Sequence, residues 1–190
     1  HYSLLKDSFG LGDLYRYRAA IFGQTGIKDS IFYYLNQAEK ISALQGSFKG
    51  VFVNKVTTVE AYLDYTDSVQ KALTLALSIC PDSSRMPQWA KYELELHLGR
   101  ALLQTGKATQ GIPLIEKAAQ GFISMDMRSG KQKANNILMD YYLSMNMNDA
   151  FVRCYKRSQT FTDSLNLAEK MRAVAAANIR FDTERKEKEN

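Results

Sequence analysis

Glu93 and His97, in the stretch KYELELHLGR, are four residues apart, the spacing at which two side chains share one face of a helix. Such a pair could work as general base and acid, or as half of a metal site, if a third group oriented or completed it. No aspartate or cysteine stands three or four residues from His97, and the one other histidine is His1. The pair therefore reads as a structural histidine in a helix. Glu93 and Glu95 are two apart and point away from each other, so they make no carboxylate pair. The glycines of FGLG (9–12) and GQTG (23–26) follow no strand and read as helix punctuation, not as a phosphate cradle. Neither a GxSxG elbow nor a Walker loop is present. Cys80 and Cys154 stand far apart with no CxxC, which supports neither a zinc site nor a disulfide scaffold. The chain reads as non-catalytic, with no cofactor and no metal.

The composition agrees with a soluble globular domain: 190 residues, 45% hydrophobic and 24% charged. The formal net charge is +5 and the pI about 9.1. The basic residues are scattered among acidic ones and are not gathered on one face, so this segment is not expected to bind nucleic acid directly. No run of 18 apolar residues is present to span a bilayer.

The elements that must position these side chains are helices. Apolar residues recur at helical spacing, and Ala, Leu, Lys, Gln, Glu and Met outnumber alternating β-branched residues. Helices are expected at about 9–24, 29–45, 50–64, 67–80, 87–105, 109–124, 129–145, 148–162 and 163–190. Between them lie short breaks rich in Gly, Asn, Asp, Ser or Pro. Pro87 and Pro113 are expected near helix starts, where a missing N–H costs nothing. Links this short force successive helices to run antiparallel.

A repeat emerges from the hairpins. From Gly99, offsets of 12, 16 and 19 lead to Gly111, Ile115 and Ala118. The same offsets lead from Ala19 to Ile31, Leu35 and Ala38, from Thr57 to Val69, Leu73 and Ala76, and from Met139 to Phe151, Tyr155 and Ser158. The starts differ by 38, 42 and 40 residues. Offsets of this kind align three residues on one face of the second helix, and the small last residue lets helices approach closely. One hairpin cannot bury such a face alone, whereas stacked hairpins can. The aromatic clusters Phe32-Tyr33-Tyr34 and Tyr141-Tyr142, and the methionines Met125, Met127, Met139, Met145 and Met147, are expected to fill space between units.

On these residues the chain resembles the tetratricopeptide repeat family. Leu98-Gly99 with Leu102, followed by Gly111 and Ile115, fits the L-G-x2-Y and A-x3-F places of the family pattern, and Leu138-Met139-x2-Tyr142 opens a second such unit. The initial Trp and late Pro of the pattern are absent, and the period is about 40, not 34. The resemblance implies an all-α, right-handed superhelix (α-solenoid) of about four hairpins over residues 1–162. A C-terminal capping or linker helix over 163–190 follows. It also implies that the first helix of each hairpin lines a concave groove. Counting −6, −3, +1 and +5 from the reference residue gives Asp13, Arg16 and Gln24; Asn54, Thr58 and Tyr62; Glu93, Arg100 and Gln104; and Lys133, Asn136, Asp140 and Ser144. The binding candidates are thus Arg16, Asn54, Thr58, Tyr62, Glu93, Arg100, Gln104, Lys133, Asn136 and Asp140, side chains that can meet a peptide backbone or a carboxylate.

The tail, with Asp163-Ser164-Leu165 opening a helix that ends in Glu-Arg-Lys-Glu-Lys-Glu, is similar to the segment that closes the repeat region in bacterial membrane-anchored tetratricopeptide regulators. That likeness implies a periplasmic sensor region and a protein or peptide partner. A membrane span would follow residue 190, leading to a histidine kinase or helix-turn-helix output. The imperfect apolar stripe of Leu167, Met171, Val174 and Ile179 offers a cap to the array or a homodimer contact. The alternative is an adaptor or scaffold that binds a partner peptide without signalling.

Overall fold

A computed structural model describes residues 8–66 and 68–159. Among them the regular structure is helical throughout: α1 (Ser8–Thr25), α2 (Lys28–Leu44), α3 (Phe48–Tyr65), α4 (Val69–Ile79), a 3-10 segment (Cys80–Arg85), α5 (Gln88–Gln104), α6 (Ala108–Ser124) and α7 (Arg128–Ser144). A further helix, α8, covers 148–159. From α1 to α7, each boundary lies within two residues of the one expected from periodicity, and α8 starts where expected. The expected helix at 163–190, with its apolar stripe, lies outside the described residues.

Five of the turns are built alike. Gly26, Gly46, Gly106, Asp126 and Asn146 each sit alone between two helices with φ of +76°, +62°, +77°, +53° and +56°. At Gly106 the backbone N–H donates to Leu103 O at 3.0 Å, and the next N–H, from Lys107, donates to Leu102 O at 2.8 Å. The same two bonds recur at Gly46, Asp126 and Asn146, closing the last carbonyls of the helix before. In four of the five the left-handed residue is the middle of a three-residue link, and in the two-residue α1–α2 link it is the first; either way it turns the chain back at once. The link from α3 to α4 is different: Thr66 is extended, and its hydroxyl donates to Tyr62 O at 2.8 Å. Pro87 precedes the first residue of α5 as its cap. Pro113, by contrast, is the sixth residue of α6, so it omits one internal backbone bond that a position nearer the start would have spared. Its ring lies on the exposed side.

The chain divides into two compact units, one up to Ile137 and one from Leu138. In the first unit each helix from α1 to α6 packs on the next, and α1 packs on α3 and α3 on α5. The first helices of the first three hairpins therefore lie side by side, with the second helices behind them. Ala38, Ala76 and Ala118 are fully buried on the second helices. Phe52, Val56, Val59 and Leu63 of α3 meet Ala72, Leu73, Ala76 and Ile79 of α4, with Leu94, Leu98 and Leu102 of α5 on the other side. A second cluster holds Ala19, Ile31, Leu35 and Ala61, flanked by Phe22 stacked on Tyr34 at 5.3 Å and Phe32 against Tyr62 at 4.7 Å. The first aromatic cluster is thus mainly packing, although Tyr33 is exposed. The tightest approach is between α5 and α6: a Cβ at Gly99 would stand 2.8 Å from Gly111 O and 2.6 Å from Ile115 Cγ1.

In the second unit Phe151 stacks on Tyr155 at 6.2 Å, and Cys154 is buried. Neither cysteine is in a disulfide. Met125, Met145 and Met147 are exposed at turns, which corrects the expectation that they fill gaps between units. Among the described residues no helix is long and apolar enough to cross a membrane.

The burial pattern also corrects the register of the second hairpin. On α4 the buried residues are Ala72, Leu73, Ala76 and Ile79, so Leu73 and Ala76 lie inward as expected, whereas Val69 is only half-buried and Thr57 is not in the core. The residue of α3 that matches Ala19 and Gly99 is Val59, which is fully buried. The reference residues are then 19, 59, 99 and 139, each 40 after the last. Val59 stands 13 residues before Ala72, one more than the 12 that separate Ala19 from Ile31 or Gly99 from Gly111.

Candidate functional site

With Val59 as reference, offsets +1 and +5 fall on Glu60 and Asp64, not on Thr58 and Tyr62. These two carboxylates face the candidate residues of the neighbouring first helices. Arg100 Nη1 is ion-paired with Asp64, and its Nη2 donates to Leu63 O at 3.4 Å. Lys133 Nζ is ion-paired with Glu60, reaching from α7 to α3. Glu93 and His97 lie between them on α5. His97 Nε2 is 3.5 Å from Glu93 Oε2 and 3.8 Å from Glu60 Oε2. These separations suit an ion pair, but they are too long for a good hydrogen bond, and neither ring nitrogen has a hydrogen-bond partner. The ring itself is 0% exposed. Three helices thus join in one charged seam of three carboxylates, one arginine, one lysine and a buried imidazole.

The electrostatics follow from that crowding. Burial by itself would raise the Glu93 carboxyl, but His97 and the Lys133 ammonium outweigh it and hold Glu93 below the ordinary carboxylate range. Burial works against the Lys133 charge, yet Glu60 first, then Glu93 and Asp64, push its proton affinity above the ordinary lysine value. The Tyr65 hydroxyl is pushed up by burial and by Asp64 and Glu60, with Lys133 opposing. Glu95, two residues from Glu93, turns the other way and pairs with Lys117 of α6 at 2.7 Å.

A second polar junction ties α1, α2 and α3. Arg16 Nη1 donates to Asn54 Oδ1 at 2.7 Å, Asn54 Nδ2 donates to Ser42 Oγ at 3.0 Å, and Arg16 is also ion-paired with Asp13. Asn54 is 0% exposed, so it is a buried strut, not a groove residue. Thr58 donates to Asn54 O at 2.8 Å. It lines, with Tyr62, a crevice against Phe32, Asn36 and Glu39 of α2, on the flank facing the preceding second helix. Of the three candidates on α3, Asn54 is buried, and Thr58 and Tyr62 are half-buried. Gln104 and Asn136 are exposed and Arg16 is half-buried. Asp140 is exposed in the second unit.

The seam thus gathers Glu93, Arg100 and Lys133 from the expected set and adds Glu60, Asp64 and His97. The unused signal was the 40-residue interval itself, which points to Val59 and hence to Glu60 and Asp64. Among the described residues no group of three or more His, Cys, Asp or Glu is arranged to hold a metal ion. Lys133 also sets a positive charge where a cation would need to sit. No family model, no curated protein and no solved structure matches the chain.

Proposed function

We propose that the chain is a non-catalytic binding module of tetratricopeptide type, and that a protein or peptide partner rests on the side-by-side first helices α1, α3 and α5. The observation that carries this reading is the charged seam. Five ionic side chains from α3, α5 and α7 are gathered along the first helices, where a structural core has no use for them. An extended polypeptide presents backbone amides and carbonyls that such side chains can meet. The only imidazole in the seam is sealed from solvent, so no substrate reaches it, and a general acid–base role has no access.

In the fuller form of the proposal, the module is the periplasmic sensor region of a bacterial membrane-anchored regulator. Occupancy of the first-helix face would shift the array and the C-terminal helix would pass the shift on. A gene that encodes about 20 apolar residues soon after Asn190 supports that form; a stop codon there leaves the adaptor reading.

The test is affinity capture from a bacterial cell-envelope extract. Wild type is compared with a Gln104→Ala, Asn136→Ala double variant, in which both changed side chains are exposed, and with Lys133→Met. A partner bound on this face is captured by wild type, is reduced by the variants, and is released by salt as charged contacts are screened. Identical capture by all three proteins would remove the face from consideration.

A further inference from the structure

A cleft of about 630 Å³ opens beside the charged seam, between α1, the α2–α3 turn, α3 and the first turn of α5. Its polar wall is nearly all donor. Gln45 Nε2 is buried with no acceptor, which a folded protein rarely leaves unanswered. Ser47 Oγ accepts from the Gly50 N–H at 3.1 Å, leaving its own proton free. Lys49 is exposed and has no ion-pair partner among the described residues. Arg16 uses one nitrogen on Asn54 and another on Asp13, and a guanidinium has five N–H groups to give. Asp13 is the one acidic side chain in the wall, so Arg16 and Lys49 leave the cleft one positive charge in excess. The apolar part of the lining comes from Tyr17, Val53 and Trp89.

We propose that this cleft binds a carboxylate carried on an aromatic or apolar body. The carboxylate would take the Gln45 amide, the Ser47 hydroxyl and the Lys49 ammonium, with Arg16 behind them. The body would lie against Trp89, Tyr17 and Val53. Charge-assisted bonds of this kind are roughly twice as strong as neutral ones. Two of the four donors sit on the turn between hairpins and a third, Lys49, in the first turn of α3, so the site adds to the first-helix face and is not a copy of it. The inference names a ligand class for the face assigned above and rests on that reading. The volume lies within the ordinary range for small-ligand pockets, and it admits either a free organic acid or the C-terminal residue of a peptide.

Trp89 is the only tryptophan of the chain, so its emission reports the cleft directly. The probes are N-acetylphenylalanine, its neutral amide and 3-phenylpropionate, titrated into the full chain. Both acids are expected to shift Trp89 emission saturably, with the amide roughly tenfold weaker or more, the usual effect of losing a bond to a charged group. Gln45→Glu, which matches the volume and reverses the preference, abolishes acid binding, and Lys49→Gln weakens it several-fold, both with unchanged thermal unfolding. Equal affinity for the two acids marks a free small acid as the source; a clear preference for N-acetylphenylalanine marks a chain terminus. The inference is overturned if acid and amide bind alike, if no probe saturates, or if Gln45→Glu binds as wild type does. Such a failure, with capture still sensitive to Lys133→Met, removes the cleft and leaves the first-helix face standing.

Discussion

Asn54 illustrates how a side chain suited to recognition can be fully engaged in holding the fold. It accepts from Arg16 and donates to Ser42 in a dry setting, so Asn54→Leu strands two polar partners at once. We expect a loss of about 2–3 kcal/mol in urea denaturation, where a groove role would leave stability unchanged. The seam makes a second prediction at this scale. Glu93 is held below its ordinary range, so its contribution to stability is fully present above the unfolded-state value and fades as pH falls through the folded one. Lys133 is raised, so its contribution is present below the unfolded lysine value and fades as pH climbs through the folded one. Denaturation midpoints measured from acid to alkali should therefore fall at both ends. Glu93→Gln should flatten the acid limb and Lys133→Met the alkaline limb. Unflattened limbs in both variants would show that other groups control the pH response.

At the scale of elements, the helices were legible because periodicity and turn residues agree, and the turns themselves carry energies that can be measured. Gly106→Ala forces a Cβ into the left-handed region at φ +77° and should cost about 1–2 kcal/mol. Asp126→Gly and Asn146→Gly relieve the same penalty and should stabilise by roughly 0.5–1 kcal/mol. Thermal unfolding that moves the other way would refute the shared turn geometry. Gly99→Ala should cost about 1–3 kcal/mol, because its new methyl meets a backbone carbonyl that cannot step aside. What stayed hidden was the second hairpin. Its link is extended at Thr66, not left-handed, and Leu73 and Ala76 are buried as the expected pattern requires, so only the half-buried Val69 marks the difference. Offsets of +1 and +5 fall on Thr58 and Tyr62 when counted from Thr57 and on Glu60 and Asp64 when counted from Val59.

For the whole molecule, an all-helical chain of packed hairpins could be read from spacing alone, since helical period, short links and a 40-residue interval all point the same way. The site could be read only in part. Glu93, Arg100 and Lys133 follow from position along their helices. The role of His97 depends on a carboxylate, Glu60, contributed by another hairpin, and the wall of the cleft depends on a turn residue, Gln45, whose amide nitrogen has no acceptor. Neither relation is encoded in local spacing. The outer face of α1 leaves Leu14, Tyr17 and Ile21 exposed at helical spacing, an apolar stripe that local periodicity would assign to the interior.

The Lys133–Glu60 pair joins α7 to α3 across the intervening α5. In an ideal linear array each unit touches only its immediate neighbours, and such a chain can fray from either end one unit at a time. A strap that skips a unit breaks that independence. Lys133 cannot leave its place without breaking that pair and loosening the charged seam, so disturbance at α7 is felt at α3, two hairpins upstream, and the first unit melts more nearly as one body than as a zipper.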